Sequence, residues 1–322
     1  SGSAIAKDLV LLSSGDFNLA DNITLTAVSG AADAKVADSV TLEEKIVLGT
    51  SGTGLTIKGG NYTAADVKVG SGSVTVTNHA YNVASTLTIG KLVLDNSAQG
   101  SSGSLTVKGA AAGDLEKVVL DLSNTDISYV KTSGASGTVA LNADQATIKI
   151  GGEQLKTLLA DSKLSGAIFD VKSGGQLLVA DDFSLEASQI KQSGVSSNGI
   201  QLTKGTLAVD GTLTLTKAAT VDLGKADGTN ILKAKTLDLQ LENPTSGSTL
   251  QSGTFVVSEG LKTNSQVGVV VGAKGKLQLN DEAGASHTVY ANALSVSGDS
   301  ATLDAVKGTW TLTDLSLGTT GV

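Results

Sequence analysis

The sequence predicts an all-β chain wound as a β-solenoid, in which short strands joined by tight corners stack on their counterparts one turn of the coil away. Three observations carry this. Aliphatic and β-branched residues alternate with Thr, Ser, Lys or Asp from end to end, the period-two signature of half-buried strands. The runs are mostly four to six residues long and are separated by Gly, Ser, Asn and Asp clusters whose backbone turns sharply. Gly, Ser and Thr fill 111 of 322 positions and aromatics only 3 %, so the core must be Leu, Val, Ile and Ala, which suits thin regular layers.

In chain order, strands are predicted at Ile23 to Thr26, Leu55 to Lys58, Val74 to Thr77, Leu87 to Ile89, Leu92 to Leu94, Leu105 to Lys108, Ile148 to Ile150, Thr206 to Val209, Thr212 to Leu215, Thr220 to Leu223, Leu237 to Leu241, Leu294 to Val296, Leu303 to Val306 and Trp310 to Leu315. Gly70-Ser71-Gly72-Ser73, Gly100-Ser101-Ser102-Gly103 and Asp227-Gly228-Thr229-Asn230 read as corners. The starts at Thr206, Thr212 and Thr220 lie six and eight residues apart, so only one or two residues separate consecutive strands. Asp210-Gly211 suits a tight hairpin and a solenoid corner equally well, and a local meander stays open there. The persistence of this cadence over the whole length favours the solenoid, with a pair of β-sandwiches as the alternative.

No repeat of fixed period accompanies the cadence. Three short strands and their corners take roughly twenty residues, which predicts about fifteen coils and a rod on the order of 70 Å at ~4.8 Å per coil. One solenoid domain is expected over 4–322, a piece of a longer secreted protein, with Ser1-Gly2-Ser3 as a cloning remnant. A single segment breaks the alternation: from Glu153 to Asp161, Leu155, Leu158 and Leu159 fall on one helical face after Gly151-Gly152. The short helix either presents a binding insertion or covers the open edge of a coil.

Composition excludes several chemistries. The chain has no Cys and no Met, and all of its 23 basic residues are Lys, so disulfides, zinc-thiolate sites, thiol nucleophiles and guanidinium clamps are ruled out. A net charge of −8 repels phosphate backbones, and no nucleic-acid partner is expected. No apolar run reaches eighteen residues, so no transmembrane helix is expected either.

Catalysis would rest on carboxylates, and the adjacent pairs are Glu43-Glu44, Asp181-Asp182 and Asp281-Glu282. Neighbours on a strand point to opposite faces, so none is a dyad by itself. His79 and His287 lack a second His or Cys at ligand spacing. Gly70-Ser71-Gly72-Ser73-Val74 is a turn rather than a nucleophile elbow. Calcium loops are absent, and Gly59-Gly60, Gly151-Gly152 and Gly174-Gly175 read as corners. Asn22-Ile23-Thr24 and Asn61-Tyr62-Thr63 match the glycosylation sequon, a short pattern frequent by chance. The aromatics Phe17, Tyr62, Tyr81, Tyr129, Phe169, Phe183, Phe255, Tyr290 and Trp310 are scattered and build no stacking platform, Trp310 being expected to face the core or cover a terminal coil. Lys58 and Lys108 alternate with apolar neighbours, as solvated strand faces do. The chain is therefore expected to be no enzyme, with no catalytic residue, cofactor or metal and with its ligand-binding residues unknown.

The strand cadence, corners such as Gly205-Thr206-Leu207-Ala208-Val209-Asp210-Gly211-Thr212-Leu213-Thr214-Leu215, and the lack of Cys and Arg make the chain resemble the β-helical passenger regions of bacterial autotransporters and of filamentous-haemagglutinin-like secreted adhesins. The resemblance is one of style over nearly the whole length. It implies a right-handed parallel β-helix at the bacterial cell surface or outside the cell, held to the membrane only through an anchor beyond its C-terminus. It also implies an adhesion role in aggregation, biofilm or virulence, with the protein itself on neighbouring cells, or a carbohydrate or host surface, as partner. A surface-layer or stalk scaffold without a ligand is the alternative, and a polysaccharide-degrading enzyme comes third.

Overall fold

Alternation turns one side of each strand apolar, and such strands bury that side only by stacking like on like. The computed structural model describes residues 2–5, 16–18, 22–26, 39–49, 51, 53–78, 84–97, 102–110, 115–131, 138–160, 167–191, 199–224, 229–279, 286–290, 293–305, 309–311 and 314–317. Its contacts divide the chain into two units, Ser1–Leu177 and Leu178–Val322. Both are all-β with parallel strand pairing, the arrangement a β-solenoid predicts.

In the first unit one sheet runs Gly2–Ile5, Asn22–Thr26, Gly54–Lys58, Ser73–Thr77, Ser102–Lys108, Thr138–Asp144 and Ala167–Lys172. The chain residue Ser3 thus pairs within the sheet, opposite Thr24. A second sheet runs Asp16–Asn18, Ser39–Leu48, Gly60–Val69 and Ser85–Asn96, against which both Val118–Leu122 and Asp126–Lys131 pair. Identical registers put like beside like. Leu25, Ile57, Val76, Val107, Ala143 and Val171 form one buried ladder, and Val40, Tyr62, Leu87, Leu120 and Ile148 another. Each fully buried Leu, Val or Ile contributes about 1.5–3 kcal/mol of transfer free energy, which is what holds so lean a core.

Tyr62 is the exception within its ladder. It is 2 % exposed, its Oη has no hydrogen-bond partner among the described residues, and burial pushes its phenol far above the usual range. An orphaned buried hydroxyl carries its whole desolvation penalty, so Tyr62→Phe is expected to stabilise the first unit by about 1–2 kcal/mol. A urea midpoint equal to or below that of the parent protein would contradict this.

In the second unit Phe183–Glu186, Thr206–Thr216, Ile231–Gln240 and Ser248–Thr263 pair in order, followed by Gly275–Leu279 and Thr302–Ala305 on one flank and Ser286–Tyr290 and Thr309–Thr311 on the other. A further sheet joins Thr220–Asp222, the start of Ser248–Thr263, Val269–Val271, Leu294–Val296 and Leu315–Leu317. Asp210-Gly211 is a corner and not a hairpin: Thr206–Thr216 passes through it as one strand, with Val209 opposite Ala234 and Thr212 opposite Thr236, both parallel.

The repeat length differs from expectation. Gly54 lies opposite Ser73, 19 positions on, whereas Ser102 lies opposite Thr138, 36 positions on. Twenty residues per coil is therefore too short for most steps, because strands predicted separately fuse around a bend and the connections vary. Leu87 to Ile89 and Leu92 to Leu94, for example, are two arms of Ser85–Asn96, bent at exposed Gly90 and Lys91.

The predicted helix runs Gly152–Ala160 beside the strand Asp126–Lys131. Leu155, Leu158 and Leu159 are buried, while Glu153, Lys156 and Thr157 face outward. The helix therefore acts as a cover. Asp161 lies outside the described residues.

Candidate functional site

Outward positions form ladders as regular as the inward ones. On the first sheet Thr24, Thr56, Thr75, Thr106, Asn142 and Asp170 lie in one file, and Asn142 Nδ2 donates to Thr106 Oγ1 at 3.2 Å. On the second sheet Thr41, Thr63, Thr88 and Asp121 form another, closed by Lys149, whose Nζ is 3.7 Å from Asp121 Oδ2. Past the bend of that sheet, Lys45, Asp66, Lys91 and Asp126 stand in register, alternating in sign at every rung. The neighbouring outward file is Val47, Lys68, Val93 and Ser128. Lys68 Nζ reaches Asp95 Oδ2 at 2.6 Å. Burial alone would raise the Asp95 carboxyl, but the Lys68 and Ser97 hydrogen bonds outweigh it and hold it below the usual carboxylate range.

In the second unit Lys276 pairs with Asp304 across adjacent strands at 3.6 Å, and the other described ion pairs gather at bends and strand ends. Lys235 pairs with Asp210 at 2.6 Å, and Lys217 lies 2.9 Å from Glu186 and 3.6 Å from Glu242. Those carboxylates hold both ammonium groups above the usual lysine range, Asp210 acting mainly on Lys235 and Glu186 mainly on Lys217. The same unit holds a buried corner. Asn230 is fully buried; its Oδ1 accepts from Lys204 N at 2.7 Å and Gly205 N at 3.4 Å, and its Nδ2 donates to Leu202 O at 3.1 Å and Leu223 O at 2.6 Å.

No family model, curated protein or solved structure matches this chain. What it does must therefore be read from its own surface.

The residues singled out in the sequence build no catalytic constellation among the described residues. Asp181 and Asp182 are exposed at a bend, where Asp182 Oδ1 accepts from Thr212 N at 2.6 Å. The Glu43-Glu44 and His287 side chains, His79 and Asp281-Glu282 lie outside the described residues. No group of three or more metal-ligating side chains occurs among those described, and no described helix is long and apolar enough to cross a membrane. Gly59 and Gly60 form a corner, where Gly59 N donates to Ser85 Oγ at 2.6 Å. Of the sequons, Asn61 and Thr63 are exposed on either side of buried Tyr62. Tyr129, Phe169, Phe183 and Phe255 are buried, so they offer no stacking face; the side chains of Phe17, Tyr290 and Trp310, and all of Tyr81, lie outside the described residues.

Sequence reasoning missed the alternating column. Its signal was present: Lys45-Ile-Val-Leu, Asp66-Val-Lys-Val, Lys91-Leu-Val-Leu and Asp126-Ile-Ser-Tyr each place a charge before an inward, outward, inward triplet.

Proposed function

We propose that the chain is a right-handed parallel β-helix that serves as an adhesion module on the bacterial cell surface, acting through the polar faces of stacked strands and associating with copies of itself. The observation that carries this reading is the in-register repetition of polar and charged side chains along the outward files, above all the Thr24 to Asp170 file and the Lys45 to Asp126 column. Each surface contact is weak, about 0–1 kcal/mol for an exposed ion pair, but repetition at a fixed spacing lets many form at once. The stylistic likeness to autotransporter passenger regions supports the same role and place. The reading assigns no catalytic residue.

Small-angle X-ray scattering over a concentration series tests shape and association together. An elongated particle whose forward scattering rises with concentration is the expected result. An elongated particle that stays monomeric would shift the assignment to glycan attachment or a passive stalk, and a compact globule would overturn the β-helix itself.

A further inference from the structure

We propose that the alternating column of the first unit is a docking face for a second copy of the chain, and that its charge order selects an antiparallel pair. The proposal rests on the self-association reading above and names the face that would perform it. Lys45 lies opposite Asp66, Asp66 opposite Lys91, and Lys91 opposite Asp126 on consecutive parallel strands. Successive rungs stand ~4.8 Å apart, so the sign repeats every two rungs, about 10 Å. Lys91 and Asp126 are exposed, and Lys45 and Asp66 half-buried. Beside the column the bend carries Ala65 and Gly90, exposed and small, while Asp66 Oδ1 is buried with no hydrogen-bond partner among the described residues.

Within one chain, alternation spares the ladder the repulsion that like charges would suffer at this spacing. Between chains it does more. Two copies meeting face to face with their ladders parallel and related by a two-fold axis set Lys45 on Lys45 and Asp66 on Asp66, which repels. With the axis crossing the column midway between Asp66 and Lys91, the ladders run antiparallel. Lys45 then faces Asp126 of the second copy, Asp66 faces its Lys91, and both contacts recur by symmetry, giving four opposite-charge contacts from four residues. The adjoining file brings no like charges together: Val47 meets Ser128, and the Lys68 stem, its head held by Asp95, meets Val93. Among the described strands the next alternating file, Lys108, Asp144 and Lys172, spans only three rungs.

Sedimentation velocity on the full chain, across a concentration series at low and high ionic strength, tests the proposal with three column variants. In the neutral variant, Lys45→Gln, Asp66→Asn, Lys91→Gln and Asp126→Asn remove the charges without creating like-charge stacks, and dimerisation is expected to weaken by about tenfold or more. In the acidic variant (Lys45→Glu, Lys91→Glu) and the basic variant (Asp66→Lys, Asp126→Lys), each protein is expected to be monomeric alone and to form a one-to-one heterodimer when mixed, with circular dichroism confirming the fold. A neutral variant that dimerises as tightly as the parent protein overturns the column as the face while leaving self-association standing. A parent protein that stays monomeric at every concentration and ionic strength overturns both.

Discussion

Replacing Asn230 with leucine is expected to destabilise the second unit by about 3–6 kcal/mol, since each buried polar group left without a partner costs about 1–3 kcal/mol. The amide bonds four backbone groups, Lys204 N, Gly205 N, Leu202 O and Leu223 O, drawn from the corner beneath it and from the preceding strand end. Leucine has the right size and none of the bonds, so the loss reads the hydrogen bonding rather than the packing. In stacked-strand architectures such losses act locally, and amide exchange across Gly199–Thr203 and Ile231–Gln240 should accelerate before global unfolding is seen. Asn230→Asp adds a test of sign. Its buried carboxylate would face two carbonyl oxygens, which raises its folded pKa above the unfolded value. The deficit relative to the parent protein should therefore be smallest in acid and grow as pH rises through that interval. A leucine variant within about 1 kcal/mol of the parent would show that the corner relaxes and that Asn230 is no staple.

Gly253→Val should be comparably damaging, and for a different reason. Gly253 sits within the strand Ser248–Thr263 where pairing passes from one sheet to the other: Leu250 lies opposite Val271 and Thr254 opposite Lys276. The turn between sheets is made at φ +92°, a conformation that disfavours side chains and β-branched ones most. A Cβ there would also stand 2.7 Å from Leu223 Cβ and 3.1 Å from Asn230 O. Backbone strain of about 1–2 kcal/mol and overpacking of about 1–3 kcal/mol together predict a loss of about 2–5 kcal/mol in equilibrium denaturation. Gly247→Ala is the control, because its nearest neighbour would be Val267 Cγ1 at 3.5 Å, and it should change stability by less than about 0.5 kcal/mol. Equal losses at both positions would mean that the corner conformation is not what matters. Asn230 and Gly253 share this corner, so their combined effect is expected to fall short of the sum.

Strands, corners and the helical cover were legible in the amino-acid order because each is a local property. Alternation at Leu105 to Lys108 or Ile148 to Ile150 needs only a period of two, and Leu155, Leu158 and Leu159 need only a helical one. The absence of Arg and Cys, and the chemistry this excludes, is likewise a property of composition. Which residues lie side by side was not legible. The distance between partners varies from 10 to 36 positions with the length of each connection, so no fixed period in the sequence brings Lys45, Asp66, Lys91 and Asp126 together. Asn230 reads in the sequence as one more polar turn residue after Asp-Gly-Thr, and only the stacking of the next strand over it makes it a buried staple. Register is decided by which apolar ladders close over one another across the sheets. That is a long-range packing choice, and the outward charge column is carried into alignment by it.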